Sequence, residues 1–175
     1  MELWDIYDQN RYLTGRTMMR GEEFEPGAYH LVVHVCVFNS NGEMLIQQRQ
    51  PFKLGWPNRW DITVGGSAVS GDTSQVAAER EVFEEIGLKL TLQDIRPALT
   101  LNFHHGFDDI YLIKQDIDIS ALTLQYEEVK QVKWAELQEI KTLIDQEQFI
   151  PYHKSFITLL FDLAQYTSLT RANNE

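Results

Sequence analysis

Alternating and helical patterns divide the chain into a run of strands interrupted by one acidic helix and closed by two more helices. Glu2 to Tyr7 alternates polar and apolar residues and predicts a short edge strand, ended by the turn-prone Asp8-Gln9-Asn10. Residues 11–27 read as strand-like from Tyr12 to Met18 and then irregular; Arg11, Arg16 and Arg20 have no decisive spacing and are expected as surface charges rather than ligands. YHLVVHVCVF (Tyr29 to Phe38) is β-branched and aromatic, Asn39-Ser40-Asn41-Gly42 is turn chemistry, and Glu43 to Arg49 continues as a second strand, so a hairpin is expected. Even spacing puts His30, His34 and Cys36 on one side of the first strand, where packing is their plainest role. Trp56, Pro57 and Trp60 predict a compact loop ordered by buried indoles, and Asp61 to Val64 a short strand running into Gly65-Gly66.

Gly65 to Leu88 organises the rest. Asp72 or Thr73 can cap the helix that follows the glycine pair, Gln75 suits a capping box, and Gly87-Leu88 stops it. At about 100° per residue, Glu81, Glu84 and Glu85 share one arc, with Val76, Val82, Phe83 and Ile86 opposite as the expected core face. Three carboxylates at such spacing repel one another unless a cation sits among them, and clustered oxygens are what Mg²⁺ or Mn²⁺ requires. The plainer alternative is a solvated acidic face. Glycines at 65 and 66 either form a tight turn or let the backbone approach a ligand or metal. Beyond the helix, Ile95 to Phe103 and Ile110 to Lys114 read as strands joined through residues 104–109, whose histidines and aspartates are expected to be solvated. Val129 to Trp134 predicts another strand. Helices follow over Trp134 to Gln146 and His153 to Tyr166, the second with Phe156, Leu159, Leu160 and Leu163 as its apolar stripe. Thr167 to Glu175 is polar and expected to fray.

Composition narrows the class. With 175 residues, 43% of them hydrophobic, the chain buries one substantial core, and a single domain is expected. A formal charge of −11 argues against holding nucleic acid by neutralising phosphates. The lone Cys36 excludes an intramolecular disulfide, and no N-terminal run has the basic, apolar and cleavage segments of a secretory signal, so the cytoplasm is the expected compartment. No apolar run is long enough to span a membrane.

The helix and its flanks resemble the signature of the Nudix hydrolases: glycine, five residues, glutamate, seven residues, Arg-Glu, an aliphatic residue, any residue, Glu-Glu, any residue, glycine, an aliphatic residue. Gly66, Arg80, Glu81, Val82, Glu84, Glu85, Gly87 and Leu88 match in register, and Asp72 stands where the pattern has glutamate. The resemblance implies an α/β (α+β) fold with a mixed β-sheet sandwiched between helices, in one domain: an N-terminal strand and extension over 1–27, a core over 28–134, and C-terminal helices and tail over 135–175. It implies Mg²⁺ or Mn²⁺ held by Glu81, Glu84 and Glu85 with a backbone carbonyl near Gly66, Arg80 orienting the glutamates, and hydrolysis of a diphosphate attached to another group X. A homodimer is common in the family.

The string HLVVHVCVFNSNGEMLIQQR, with Lys53, Trp56-Pro57 and Glu128-Val129, resembles the isopentenyl-diphosphate isomerase branch of that fold over residues 28–134. There, positions matching Arg49 and Lys53 grip the diphosphate, and those matching His30 and Glu128 serve a metal site and catalysis. Two cations four residues apart in an acidic protein suit a phosphate clamp. The isomerase thiol, however, belongs immediately before the second glycine, where this chain has Gly65; its further metal ligands are replaced by Ser67 and Tyr126. The expectation is therefore a cytoplasmic, divalent-metal-dependent hydrolase of a small-molecule diphosphate. Glu84 and Glu85 are its principal ligands, Glu81 a ligand or the base, Glu128 a further ligand or the base, and Arg49, Lys53 and His30 its substrate contacts. An isomerase and a non-catalytic diphosphate sensor are the competing readings.

Overall fold

Burial on both faces fixes β3 (His30–Phe38) at the centre of the molecule. Its odd residues Leu31, Val33, Val35 and Val37 enter one hydrophobic cluster, while Cys36 and Phe38 enter another on the opposite side. A computed structural model describes residues 2–166. The fraying expected for Thr167 to Glu175 lies outside the described residues.

Along β3 run two neighbours, β6 (Val64–Ser67) antiparallel and β8 (Gly106–Lys114) parallel, and β7 (Leu99–Phe103) extends this sheet antiparallel to β8. β4 (Met44–Arg49) pairs antiparallel with β9 (Val129–Ala135) and with the short β5 (Trp60–Asp61). The expected hairpin is nominal, because β3 and β4 share the single pair Phe38↔Met44 next to their turn and then diverge to separate partners. Ile62 and Thr63 carry the chain from β5 to β6, and the Thr63 hydroxyl accepts from Val37 N at 2.9 Å and donates to the Leu45 carbonyl.

Helix α1 (Ser74–Ile86) covers the face where Val33, Val35, Leu45 and Val64 point; α2 (Leu137–Asp145) and α3 (Lys154–Gln165) cover the other, against Cys36, Met44, Ile46 and Ile110. The mixed sheet is thus sandwiched between helices, as expected. Thr73 caps α1, its side chain accepting from Val76 N, and Gly87 ends it in the left-handed conformation at φ 70°. Gln75 takes no part in the cap; its amide donates to the Ile95 carbonyl at 3.1 Å.

Several local expectations are corrected. The buried face of α1 is Ala77, Ala78, Val82, Glu85 and Ile86, whereas Val76 and Phe83 are exposed. On α3 the buried positions are Ile157, Leu160 and Ala164, and Leu159 faces out. Trp60 is buried but Trp56, at φ 50°, is exposed, so one indole orders the loop. The connection across residues 104–109 shrinks to a turn at His104-His105, and Asp108 and Asp109 belong to β8.

β1 (Leu3–Tyr7) and β2 (Leu13–Met19) form a separate antiparallel ribbon, packed through Trp4, Ile6 and Met18 and bridged to the body at Tyr7↔Tyr29. Arg11, expected on the surface, instead pairs with the fully buried Asp109, which also accepts from Ser74 and Thr100 hydroxyls at 2.6 Å. Burial pushes the Asp109 carboxyl up, but the Arg11, Ser74 and Thr100 donors outweigh it and hold the group below its ordinary range.

Candidate active site

The carboxylates of α1 are held in two different ways. Glu85 is buried, and its Oε2 accepts from Gln47 Nε2 on β4 at 2.7 Å. Glu81 and Glu84 turn to Arg80, whose Nη1 donates to Glu81 at 2.9 Å and to Glu84 at 3.2 Å. Arg80 Nη2 donates to the Ser67 carbonyl and to Asp72, both at 3.0 Å, and Nε reaches the same Asp72 oxygen at 3.2 Å. Asp72, the departure from the signature, is therefore the anchor of Arg80. Its short side chain reaches because the glycine loop folds back, with Val69 N donating to the same carboxylate at 3.3 Å.

Gly66 packs against this cluster so closely that a Cβ there would fall 2.2 Å from Glu81 Cδ; only glycine lets the carboxylate lie on the β6 backbone. Gly65 is constrained from the other side, since a Cβ there would lie 2.4 Å from the His34 ring. His34 pairs with Gly65 in register, and its Nδ1 donates to Asp108 at 2.7 Å. Burial opposes charging of His34, but the Asp108 carboxylate prevails and raises its pKa.

Arg49 ends β4, and Lys53 follows in the next loop. Arg49 Nε donates to the Gly55 carbonyl at 3.0 Å, and its Nη1 lies 3.8 Å from Asp61. Lys53 forms an ion pair with Glu128, which the backbone supports: Gln50 N donates to the Glu128 carbonyl at 3.1 Å, and the Gln50 amide to Val129 O at 3.3 Å. The structure thus joins the clamp loop to Glu128. His30 is elsewhere, in an aromatic cluster stacked on Trp4 at 4.5 Å and beside Phe24 and Phe103, with its Nδ1 buried and unpaired. Burial pushes its pKa down to about 4.

Burial, opposed by the Gln47 hydrogen bond and reinforced by Glu81, Glu128 and Asp61, pushes Glu85 up to about 8. Acidic groups therefore converge on one buried carboxyl, and a hard divalent cation is the partner that all-oxygen donors of this charge accept. As the side chains stand, no three His, Cys, Asp or Glu among the described residues form a ready metal cage, because Arg80 holds Glu81 and Glu84 while Gln47 holds Glu85. The donor set fits such an ion by its chemistry, with Arg80 in the cationic role between Glu81 and Glu84.

Sequence reading singled out Asp72 as the departure from the signature but not its role as the anchor of Arg80, and it missed Gln47, Asp61 and the His34–Asp108 pair, whose contacts join segments far apart in the chain.

The NUDIX domain family matches residues 28–160, from the start of β3 into α3. The chain belongs to this family. An uncharacterised Nudix hydrolase of Listeria monocytogenes is 47% identical over 169 residues, covering 97% of this chain and 99% of that protein. An isopentenyl-diphosphate Δ-isomerase of Streptomyces coelicolor is 30% identical over 114 residues, covering 65% of this chain and 57% of that protein. Among solved structures, DR0079 from Deinococcus radiodurans superposes with a TM-score of 0.71 at 20% identity, over 91% of this chain and 97% of that one. The β1–β2 ribbon lies before the matched region.

Proposed function

We propose that this chain hydrolyses a diphosphate linkage in a small molecule, either a nucleoside diphosphate linked to X or a related organic diphosphate, with Mg²⁺ or Mn²⁺. The observation that carries this reading is the convergence of acidic groups on buried Glu85, two of which, Glu128 and Asp61, bring the Lys53 and Arg49 cations with them. Glu84 and Glu85 would be the principal ligands, with the Gly66 backbone and one of Glu81 and Glu128 completing the set. When bound, the cation neutralises diphosphate charge and acidifies a water.

The chain's own groups do the remaining work. Arg80, fixed by Asp72 and Ser67, orients Glu81 and Glu84. Arg49 and Lys53 hold the diphosphate oxygens, which requires Lys53 to exchange Glu128 for phosphate and so frees that carboxylate. Glu81 and Glu128 are the two carboxylates available to take the proton of the attacking water, and water then displaces one phosphate from the other.

Two alternatives lose support. An isomerase needs a thiol at position 65, where His34 fills the space a side chain would use. A non-catalytic sensor has no need of Glu81, Glu84 and Glu85, all of which are present here.

The test is a phosphate-release screen over nucleoside diphosphate sugars, dinucleoside polyphosphates, modified nucleoside triphosphates and prenyl diphosphates, with Mg²⁺, Mn²⁺ or EDTA. Release from at least one class, abolished by EDTA, is the expected result. Silence across all classes with both cations contradicts the reading.

A further inference from the structure

The β1–β2 ribbon precedes the family-matched region, yet it grips the loop of residues 68–73 that joins β6 to α1. Alternation buries Trp4 and Ile6 on one face of β1 and leaves Asp5 on the other. Both Asp5 oxygens are engaged: Oδ1 accepts from the Ser70 hydroxyl at 2.6 Å and Oδ2 from Gly71 N at 2.8 Å. Ser70 N donates to the Leu3 carbonyl at 2.7 Å. These donors belong to one turn, closed by Asp72 N on the Val69 carbonyl at 3.0 Å, with Gly71 at φ 91° in the place where a type II turn takes glycine. An ionised acceptor makes such bonds charge-assisted and stronger than neutral ones.

A second tie meets the end of the same loop. Arg11, between β1 and β2, pairs with Asp109, whose carboxylate accepts from the hydroxyl of Ser74, the first residue of α1, at 2.6 Å. The ribbon thus fixes the loop at its middle and at its end. Asp72, next to the gripped turn, anchors Arg80, and Arg80 in turn holds Glu81 and Glu84. Aspartate is one methylene shorter than the glutamate of the signature, so its reach to Arg80 depends on where the turn is held. Packing of the ribbon is supplied separately, by Trp4, Ile6 and Met18.

We propose that Asp5 is a positioning residue: by holding the turn at Ser70 and Gly71 it sets Asp72 against Arg80, and thereby aligns the Glu81 and Glu84 carboxylates for a divalent cation. This rests on the hydrolase reading for the role of those carboxylates.

The test titrates Mn²⁺ alone into the full chain, followed by electron paramagnetic resonance without substrate, beside thermal unfolding and phosphate release. Asp5→Ala should weaken Mn²⁺ binding about tenfold, as loss of a group that orients metal ligands does. Ser70→Ala, which spares the Gly71 bond, should weaken it less. Asp72→Glu added to Asp5→Ala should recover part of the loss, because the longer carboxylate reaches Arg80 from a displaced turn. Thr14→Ala removes only a bond inside the ribbon, from the Thr14 hydroxyl to the Ile6 carbonyl at 2.7 Å, and should lower the unfolding temperature with Mn²⁺ affinity unchanged. In phosphate release, Asp5→Ala should lower kcat and leave KM for the diphosphate unaltered, since Arg49 and Lys53 are held by Gly55, Asp61 and Glu128.

Unchanged Mn²⁺ affinity in a folded Asp5→Ala chain, or an equal loss in Thr14→Ala, overturns the proposal; if Asp5→Ala does not fold, Ser70→Ala decides by the same comparison. The expected Mn²⁺ pattern without phosphate release from any diphosphate overturns the hydrolase reading and leaves the positioning role of Asp5 standing.

Discussion

Gly65 sits where His34 and β6 meet, and its missing side chain has two consequences. The sequence showed the first, the absence of an isomerase thiol. The second, that His34 occupies the vacant space, depends on the β3–β6 register and is invisible without it. Gly65→Cys should therefore destabilise the fold by about 1–3 kcal/mol, as overpacking does, and Gly65→Cys with His34→Ser should recover most of that loss. Urea melts of the four proteins in the cycle measure the coupling; additive losses would show that the two residues do not compete for space. His30 gives a second prediction at this scale. Its folded pKa of about 4 lies below the ordinary 6.5, so the folded state favours the neutral ring. The stability this represents is complete above pH 6.5 and is lost as pH falls towards 4, by up to about 3 kcal/mol. His30→Phe should flatten the stability profile over that interval, and an unchanged acid limb would assign the loss to other groups. Even spacing correctly put His30, His34 and Cys36 on one side of a strand, but spacing alone cannot tell an aromatic cluster from a polar pair.

At the scale of elements, α1 was the most legible part of the chain, since its caps, length and acidic arc all follow from local chemistry. Its buried face differs from the expected one because Ala77 and Ala78 are small enough to bring the helix onto the sheet, while the larger Val76 and Phe83 face out. Buried Glu85 belongs to that same face, which is why the acidic arc and the core arc overlap. Ile86→Ala should cost about 2–5 kcal/mol, while Phe83→Ala should stay within about 0.5 kcal/mol. Thermal or denaturant unfolding decides between the two faces, and a large loss in Phe83→Ala would reverse the assignment. The strands β7 to β9 were recognised as strands, whereas the strand expected over Asp61 to Val64 is split into β5 and β6, with Gly65 and Gly66 inside β6; β8 begins four residues earlier than expected, because Phe107 supplies apolar contact and Asp109 is made tolerable inside by Arg11, Ser74 and Thr100. No local pattern announces a buried aspartate whose partners lie far along the chain.

For the whole molecule, the sandwich and the family were readable from one signature, while the arrangement of strands was not. β3 and β4 look like a hairpin in sequence, yet their long-range partners β6, β8 and β9 outcompete each other's edges and split the pair. That split brings Arg49 and Lys53 from β4 and its loop next to Glu128 at the start of β9, and Gln47 next to Glu85. Arg49→Ala should accordingly raise KM for any diphosphate substrate with a smaller effect on kcat, and an unaltered KM would remove Arg49 from the clamp. The central claim is that buried Glu85 serves the reaction rather than the fold. The most direct measurement is Glu85→Gln, compared with the unaltered chain in cation-dependent phosphate release and in thermal unfolding without cation. Loss of turnover with almost unchanged unfolding is the predicted result, because the amide fills the same space beside Gln47 and carries no charge; retained turnover would contradict the account.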